Sequence, residues 1–210
     1  DKIIDYARDL FGLKLHCKHD AHWSLFYGCA MDKKTGKLRI FNRGTDGIGF
    51  WGKVRSWARN CRILTGGDGI HNGFGDAADK IVESFRSQLL DAEEVEICGQ
   101  SQGAGLTIVE AYKIAKNFPM RHVHGDAFAC PPVFDKKGAA KAQQYIDSGK
   151  VSIRRFNGRG DPIDSEVLRN EESIFLDGVD VGEEVTLYSV IRFDATPALM
   201  LIQHSNAVTN

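Results

Sequence analysis

The chain has 210 residues, 42% of them hydrophobic and 26% charged, the balance of a globular protein and too apolar for a disordered one. Lys and Arg number 27 against 28 Asp and Glu, a net charge of -1, which lacks the basic footprint of a nucleic-acid binder. No run reaches the roughly 18 apolar residues of a membrane-crossing helix, and five cysteines without framework spacing do not make a disulfide scaffold.

The chain opens on Asp1 rather than Met, which leaves an upstream leader open. It reads as soluble, with the compartment, cytoplasmic or secreted, unassigned. Ile3, Ile4, Ala7, Leu10 and Phe11 recur at helical spacing and predict a short N-terminal helix. His22 to Met31 and Lys37 to Asn42 are strand-like, and the turn chemistry of Asp32 to Gly36 joins them as an antiparallel hairpin. Cys61 to Leu64 is a short strand candidate, closed by Gly66-Gly67-Asp68-Gly69.

From there helix and strand alternate. Phe74, Ala78, Ile81, Val82, Phe85 and Leu89 form one apolar helix face. Val95 to Cys98 is a strand, Ala104 to Asn117 a helix stopped near Pro119, and His122 to Ala129 a strand. Lys136 to Asp147 is a helix, Val151 to Phe156 a strand, and Glu184 to Phe193 is β-rich. This grammar predicts an α/β fold, a mostly parallel central sheet with helices on both faces and the hairpin extending one edge. With no linker, repeat or low-complexity tract, residues 1–210 are expected to form one domain.

Gly99-Gln100-Ser101-Gln102-Gly103 fits G-x-S-x-G, with a strand running in and a helix running out. Side chains two before and two after the serine would collide across so tight a turn, so glycine is required at both places. The hydroxyl then stands at the positive end of a helix.

A serine needs a base, and the base needs an orienting acid. On such sheets the chain order is serine, acid, histidine. Of seven histidines, only His122, His124 and His204 follow Ser101. The first two lie in the strand just after the elbow helix, leaving no room for an acid strand between, so His204 is the candidate base. Asp161 follows the strand Val151 to Phe156 through a Gly-containing loop stiffened by Pro162. It is the favoured acid, with Asp135 and Asp164 as competitors.

At this point the residues resemble the lipase class 3 family of α/β hydrolases. Four motifs carry the likeness in order: Phe41-Asn42-Arg43-Gly44-Thr45 (F-x-R-G-T/S), His71-Asn72-Gly73-Phe74 (H-x-G-F), the elbow, and Asp161-Pro162-Ile163, where the family usually has D-P-V. The resemblance implies an α/β-hydrolase-like fold and a carboxylic-ester hydrolase, a lipase or phospholipase, acting on lipid or small ester substrates with no cofactor. It assigns the oxyanion hole to Thr45 and to the backbone N–H of Gln102, and it makes His71 structural. Gln100 and Gln102 depart from the family's usual His and Leu, and Ser-Gln-Gly is closer to cutinases. The 43-residue separation of Asp161 and His204 fits class 3 better.

Residues 46–60 occupy the family's lid position. Ile48, Phe50, Trp51, Val54 and Trp57 alternate there with Lys53, Arg55 and Arg59, suited either to a transient lipid interface or to packing beside the site. His16-Cys17-Lys18-His19-Asp20-Ala21-His22 has helical ligand spacing, but the segment enters a strand and lacks a second ligand pair, so no metal site is expected. Cys98 and Cys130 are expected in the core. An inactive binding module on the same fold, or an acyltransferase or thioesterase, are the alternative functions.

Overall fold

The computed structural model describes residues 14–20, 25–44, 67–118, 122–158 and 178–187. Seven strands form one sheet, in the order of the chain: β1 (Lys14–Asp20), β2 (Leu25–Asp32), β3 (Lys37–Asn42), β4 (Glu94–Gln100), β5 (His122–Phe128), β6 (Val151–Gly158) and β7 (Glu183–Leu187). The pairs β1–β2 and β2–β3 are antiparallel, and every pair from β3 onward is parallel. The expected hairpin is β2–β3, closed over a turn in which Asp32 accepts the Lys34 N–H at 2.9 Å and Gly36 takes φ 67°.

β1 was not anticipated as a strand. Its sequence, KLHCKHD, has only Leu15 and Cys17 as alternating apolar residues, too short a signal, and it forms because β2 offers it an antiparallel edge. The expected N-terminal helix and the Cys61 to Leu64 strand lie outside the described residues.

Among the described residues four helices connect the strands: α1 (Asn72–Ser84), α2 (Arg86–Asp91), α3 (Gln102–Asn117) and α4 (Lys136–Asp147). The single apolar face predicted from Phe74 to Leu89 spans α1 and α2, which break at Phe85 (φ -114°, ψ 17°). Ile81 and Leu89 are buried on either side of that break and Phe85 is buried at it, so the apolar period runs straight through it. α4 starts where Asp135 caps it, its carboxylate accepting the Gly138 N–H at 2.7 Å. α3 lies against β3, β4 and β5 on one side and α1 on another. Almost all its residues are therefore buried, as a helix enclosed all round must be.

Parallel crossovers are right-handed, and here each moves one strand further in the same direction, which places the described helices on a common face, where helices on both faces were expected. Val95, Ile97, Val123, Ala127, Val151 and Ile153 are buried beneath them. Alternate residues of β4 to β6 point the other way and are mostly polar, with the rings of Phe128 and Phe156 stacked at 4.8 Å towards the strand exits. There Arg39 and Lys37 pair with Glu96. Arg154 meets Asp126 through two bonds of 2.8 and 2.9 Å. His124 lies between Ser152 at 2.7 Å and Asp126 at 3.0 Å. Cys98 belongs to this polar face and is exposed, which corrects its expected place in the core: it is out of phase with buried Val95 and Ile97. Cys130 is buried, as expected.

Candidate active site

β4 runs into Ser101 and α3 runs out of it. Ser101 has φ 57° and ψ -119°, a backbone state that residues with a Cβ adopt only under constraint. It sits at the N-cap of α3, yet its side chain makes no capping bond. A capping serine normally spends its oxygen on the first turn's N–H groups. Here that oxygen is left to do something else.

The neighbours show why the turn needs its glycines. A Cβ on Gly99 would lie 2.3 Å from the Gly103 carbonyl oxygen, and one on Gly103 2.3 Å from the Asn42 carbonyl oxygen. Gly105, one turn into α3, would put a Cβ 2.5 Å from the ring of Phe74, the aromatic of the His71 to Phe74 motif. That motif therefore packs on the elbow helix, with His71 buried at the N-cap of α1 and its N–H donated to the Val133 carbonyl at 3.1 Å.

The exit of β3 meets the serine directly. A Cβ on Gly44 would stand 2.9 Å from the Gln100 carbonyl oxygen and 3.4 Å from the Ser101 Cβ. The Ser101 N–H donates to the Phe128 carbonyl at 2.8 Å, tying the elbow to the end of β5. Ala129, next along, also has positive φ, 53°. Thus the ends of β3, β4 and β5 converge on residue 101. Parallel pairing puts the exit of β6, three residues before Asp161, on the same edge of the sheet.

Among the sequence candidates, Ser101 and Gln102 are described, both buried, with Gln102 the first residue of α3. Thr45, Asp161, His204, the competitor Asp164 and the lid segment 46–60 lie outside the described residues. The competitor Asp135 is committed to capping α4. His122 pairs in register with Glu94, the first residue of β4, and so sits at the far end of the strand from the elbow.

His16 and His19 stand on an extended strand, where a spacing of three sends side chains to opposite faces. Among the described residues no group of three side chains is gathered that could hold a metal ion. Nor is any helix among them long and apolar enough to cross a membrane.

Two functional-site features escaped the sequence. One is the second positive-φ residue, Ala129, which no residue type announces. The other is a buried polar pair beneath the elbow: Asn42 Nδ2 donates to Glu110 Oε2 at 3.0 Å, both side chains being buried. Burial pushes the Glu110 carboxyl up to about 8, against a smaller downward pull from the Asn42 hydrogen bond.

No family model and no curated protein matches the chain by sequence. Solved structures do match by fold. A triacylglycerol lipase from Penicillium expansum superposes with a TM-score of 0.64 at 15% identity, over 85% of this chain and 70% of that one. The Rhizomucor miehei lipase in its propeptide complex gives 0.54 at 17% identity, over 83% of this chain and 56% of that one. A triacylglycerol lipase in which a serine protease triad forms the catalytic centre gives 0.59 at 16% identity, over 83% of this chain and 66% of that one. The chain thus spans less than two thirds of the length of several lipases it matches. Its fold is α/β-hydrolase-like, of the kind these lipases have, and the class 3 resemblance read from the motifs is matched at the level of the fold.

Proposed function

We propose that the chain is a serine carboxylic-ester hydrolase acting on lipid or other ester substrates, with Ser101, His204 and Asp161 as its triad. One observation carries the reading. Ser101 is held in a strained turn between β4 and α3, its hydroxyl not spent on capping the helix, with the β3 exit at Gly44 packed against it.

In this mechanism the Ser101 Oγ attacks the ester carbonyl and His204 takes its proton. Asp161 holds the imidazole in the right tautomer and steadies the imidazolium. The carbonyl oxygen becomes an oxyanion, met by donors from Thr45 and by the Gln102 N–H, each worth roughly 3 kcal/mol. His204 returns the proton to the leaving alcohol. Water then attacks the acyl-enzyme, with His204 again as base, and frees the acid. Residues 46–60 are the segment suited to touch a lipid interface.

The test is Ser101→Ala against the parent chain, using activated esters and a serine-directed fluorophosphonate. The variant should lose turnover and labelling while keeping the parent's circular dichroism. Parent activity should rise with pH through a midpoint around 6 to 7, as His204 deprotonates. If the alanine variant hydrolyses at the parent rate, the assignment is wrong. If the parent is not labelled, the chain is an inactive module. Competition between water, alcohol and thiol acceptors separates a hydrolase from an acyltransferase. An ester chain-length series, assayed below and above the aggregation point, tests for a lipid interface.

A further inference from the structure

The nucleophile turn rests on an acid that the reaction above does not use. Glu110 lies on α3 and is completely buried. Among the described residues no cation reaches it. Two residues along the helix, burial pushes the Tyr112 phenol up, and Lys113, the next charged group, is held by Asp79 of α1 at 2.5 Å. The other ionisable groups of α1, Asp76, Lys80 and Glu83, are exposed. On the sheet, the charged residues of β3 to β6 stand on the opposite face, except Arg155, which Asp180 and Glu184 hold at 3.3 Å each. On α4, Lys141 is drawn to Asp68, and Tyr145 packs edge-on against Tyr112. Tyr27 and Cys29 of β2 are the buried titratable groups beside Asn42's strand, and burial holds the Cys29 thiol up at about 12.

The single hydrogen bond of Glu110 leaves a matched remainder. Asn42 Nδ2 donates to Glu110 Oε2. The other oxygen of each group, Asn42 Oδ1 and Glu110 Oε1, is buried without a partner. Both are acceptors if Glu110 is ionised, and neither can satisfy the other. A proton on Oε1 supplies the missing donor, turning the pair into a two-bond ring of acid and amide. Burial without a cation favours that same protonated form.

Asn42 is also where the site is braced. It is the last residue of β3, and its carbonyl presses on the space that Gly103 leaves open. Two residues on, Gly44 lies against Ser101, and Thr45 follows. We propose that protonated Glu110 and Asn42 form a two-bond clamp that seats the exit of β3 against the nucleophile turn, so that Glu110 is a positioning residue and loss of its proton slows hydrolysis at alkaline pH. The alkaline effect rests on the hydrolase reading; the clamp does not.

Two measurements on the full chain test it, with Glu110→Gln as the variant that keeps both hydrogen bonds but cannot titrate. The first is urea unfolding across pH. A carboxyl neutral in the folded chain and ionised in the unfolded one gives stability that is complete below its ordinary value of 4.5 and is lost as pH rises to about 8. The folding constant of the parent relative to the Gln variant should therefore fall by up to about three thousandfold across that window and flatten above it. A ratio independent of pH overturns the clamp.

The second measurement is the pH profile of kcat, each protein normalised to its own maximum. The parent should decline above about pH 8 and Glu110→Gln should not, while Glu110→Leu should lower kcat more than it changes KM. Should both profiles decline alike, Glu110 positions nothing. A parent that neither hydrolyses esters nor takes the fluorophosphonate overturns the hydrolase reading and the alkaline effect together, and the unfolding ratio still decides the clamp.

Discussion

Replacing Ser101 by glycine should make the chain more stable than replacing it by alanine. Both substitutions remove the hydroxyl from the same buried position, so they differ only in the Cβ. At φ 57° and ψ -119° a residue with a Cβ is strained by about 1–3 kcal/mol, and glycine is not. Glycine also loosens the unfolded chain, which takes back about 0.5–1 kcal/mol. The net expectation is about 1 kcal/mol in favour of Ser101→Gly, or roughly 2–4 °C in Tm for a chain of this size. Urea unfolding gives the free-energy difference and a thermal scan the shift in Tm. Neither variant should take a fluorophosphonate. If Ser101→Gly is no more stable than Ser101→Ala, the elbow is not strained, and the argument from its backbone to a functional serine falls.

Gly103→Ala forces a methyl group to 2.3 Å from the Asn42 carbonyl oxygen, and should cost about 3 kcal/mol in urea unfolding. Asp68 is bound by Lys116 at 2.6 Å and by Lys141 at 3.0 Å, and these partners, Lys116 foremost, pull its carboxyl down to about 2. The stability it confers is present above pH 4 and lost as the pH falls towards 2. Because the carboxylate is 42% exposed, Asp68→Asn should cost under about 1 kcal/mol at neutral pH, and high salt should erase the difference. In the native chain a maleimide should modify exposed Cys98 while Cys29 and Cys130 react only after unfolding, as peptide mass mapping would read; equal rates would contradict the burial pattern.

The elbow was legible because everything it needs is local: strand, turn and helix are consecutive, and the two glycines answer clashes within a few residues of the serine. The parallel sheet was legible from alternation of elements, and its hairpin from Asp32 and Gly36. β1 was not, because Leu15 and Cys17 are its only alternating apolar residues among Lys, His and Asp. Nor was the break at Phe85, where the buried face continues across two helices. Cys98 was misplaced by composition, since a small thiol fits a core and only its phase with Val95 and Ile97 turns it outward. Glu110 has the residue type of a solvated helix face. Nothing near it in sequence shows that Asn42, 68 residues earlier, stands beside it. The base, the acid and the first oxyanion donor were argued from topology and resemblance, and they lie outside the described residues.

Among the described residues, the sheet's seven strands are ordered in space as they are along the chain. Each of these strands, emerging during synthesis from the N-terminus, therefore finds its partner already made, and none of them must be inserted between two others. β4, which leads into the nucleophile, is the middle one of the seven, so a truncated nascent chain would expose its far edge until β5 arrives. That interval is when this protein is most open to edge-to-edge association.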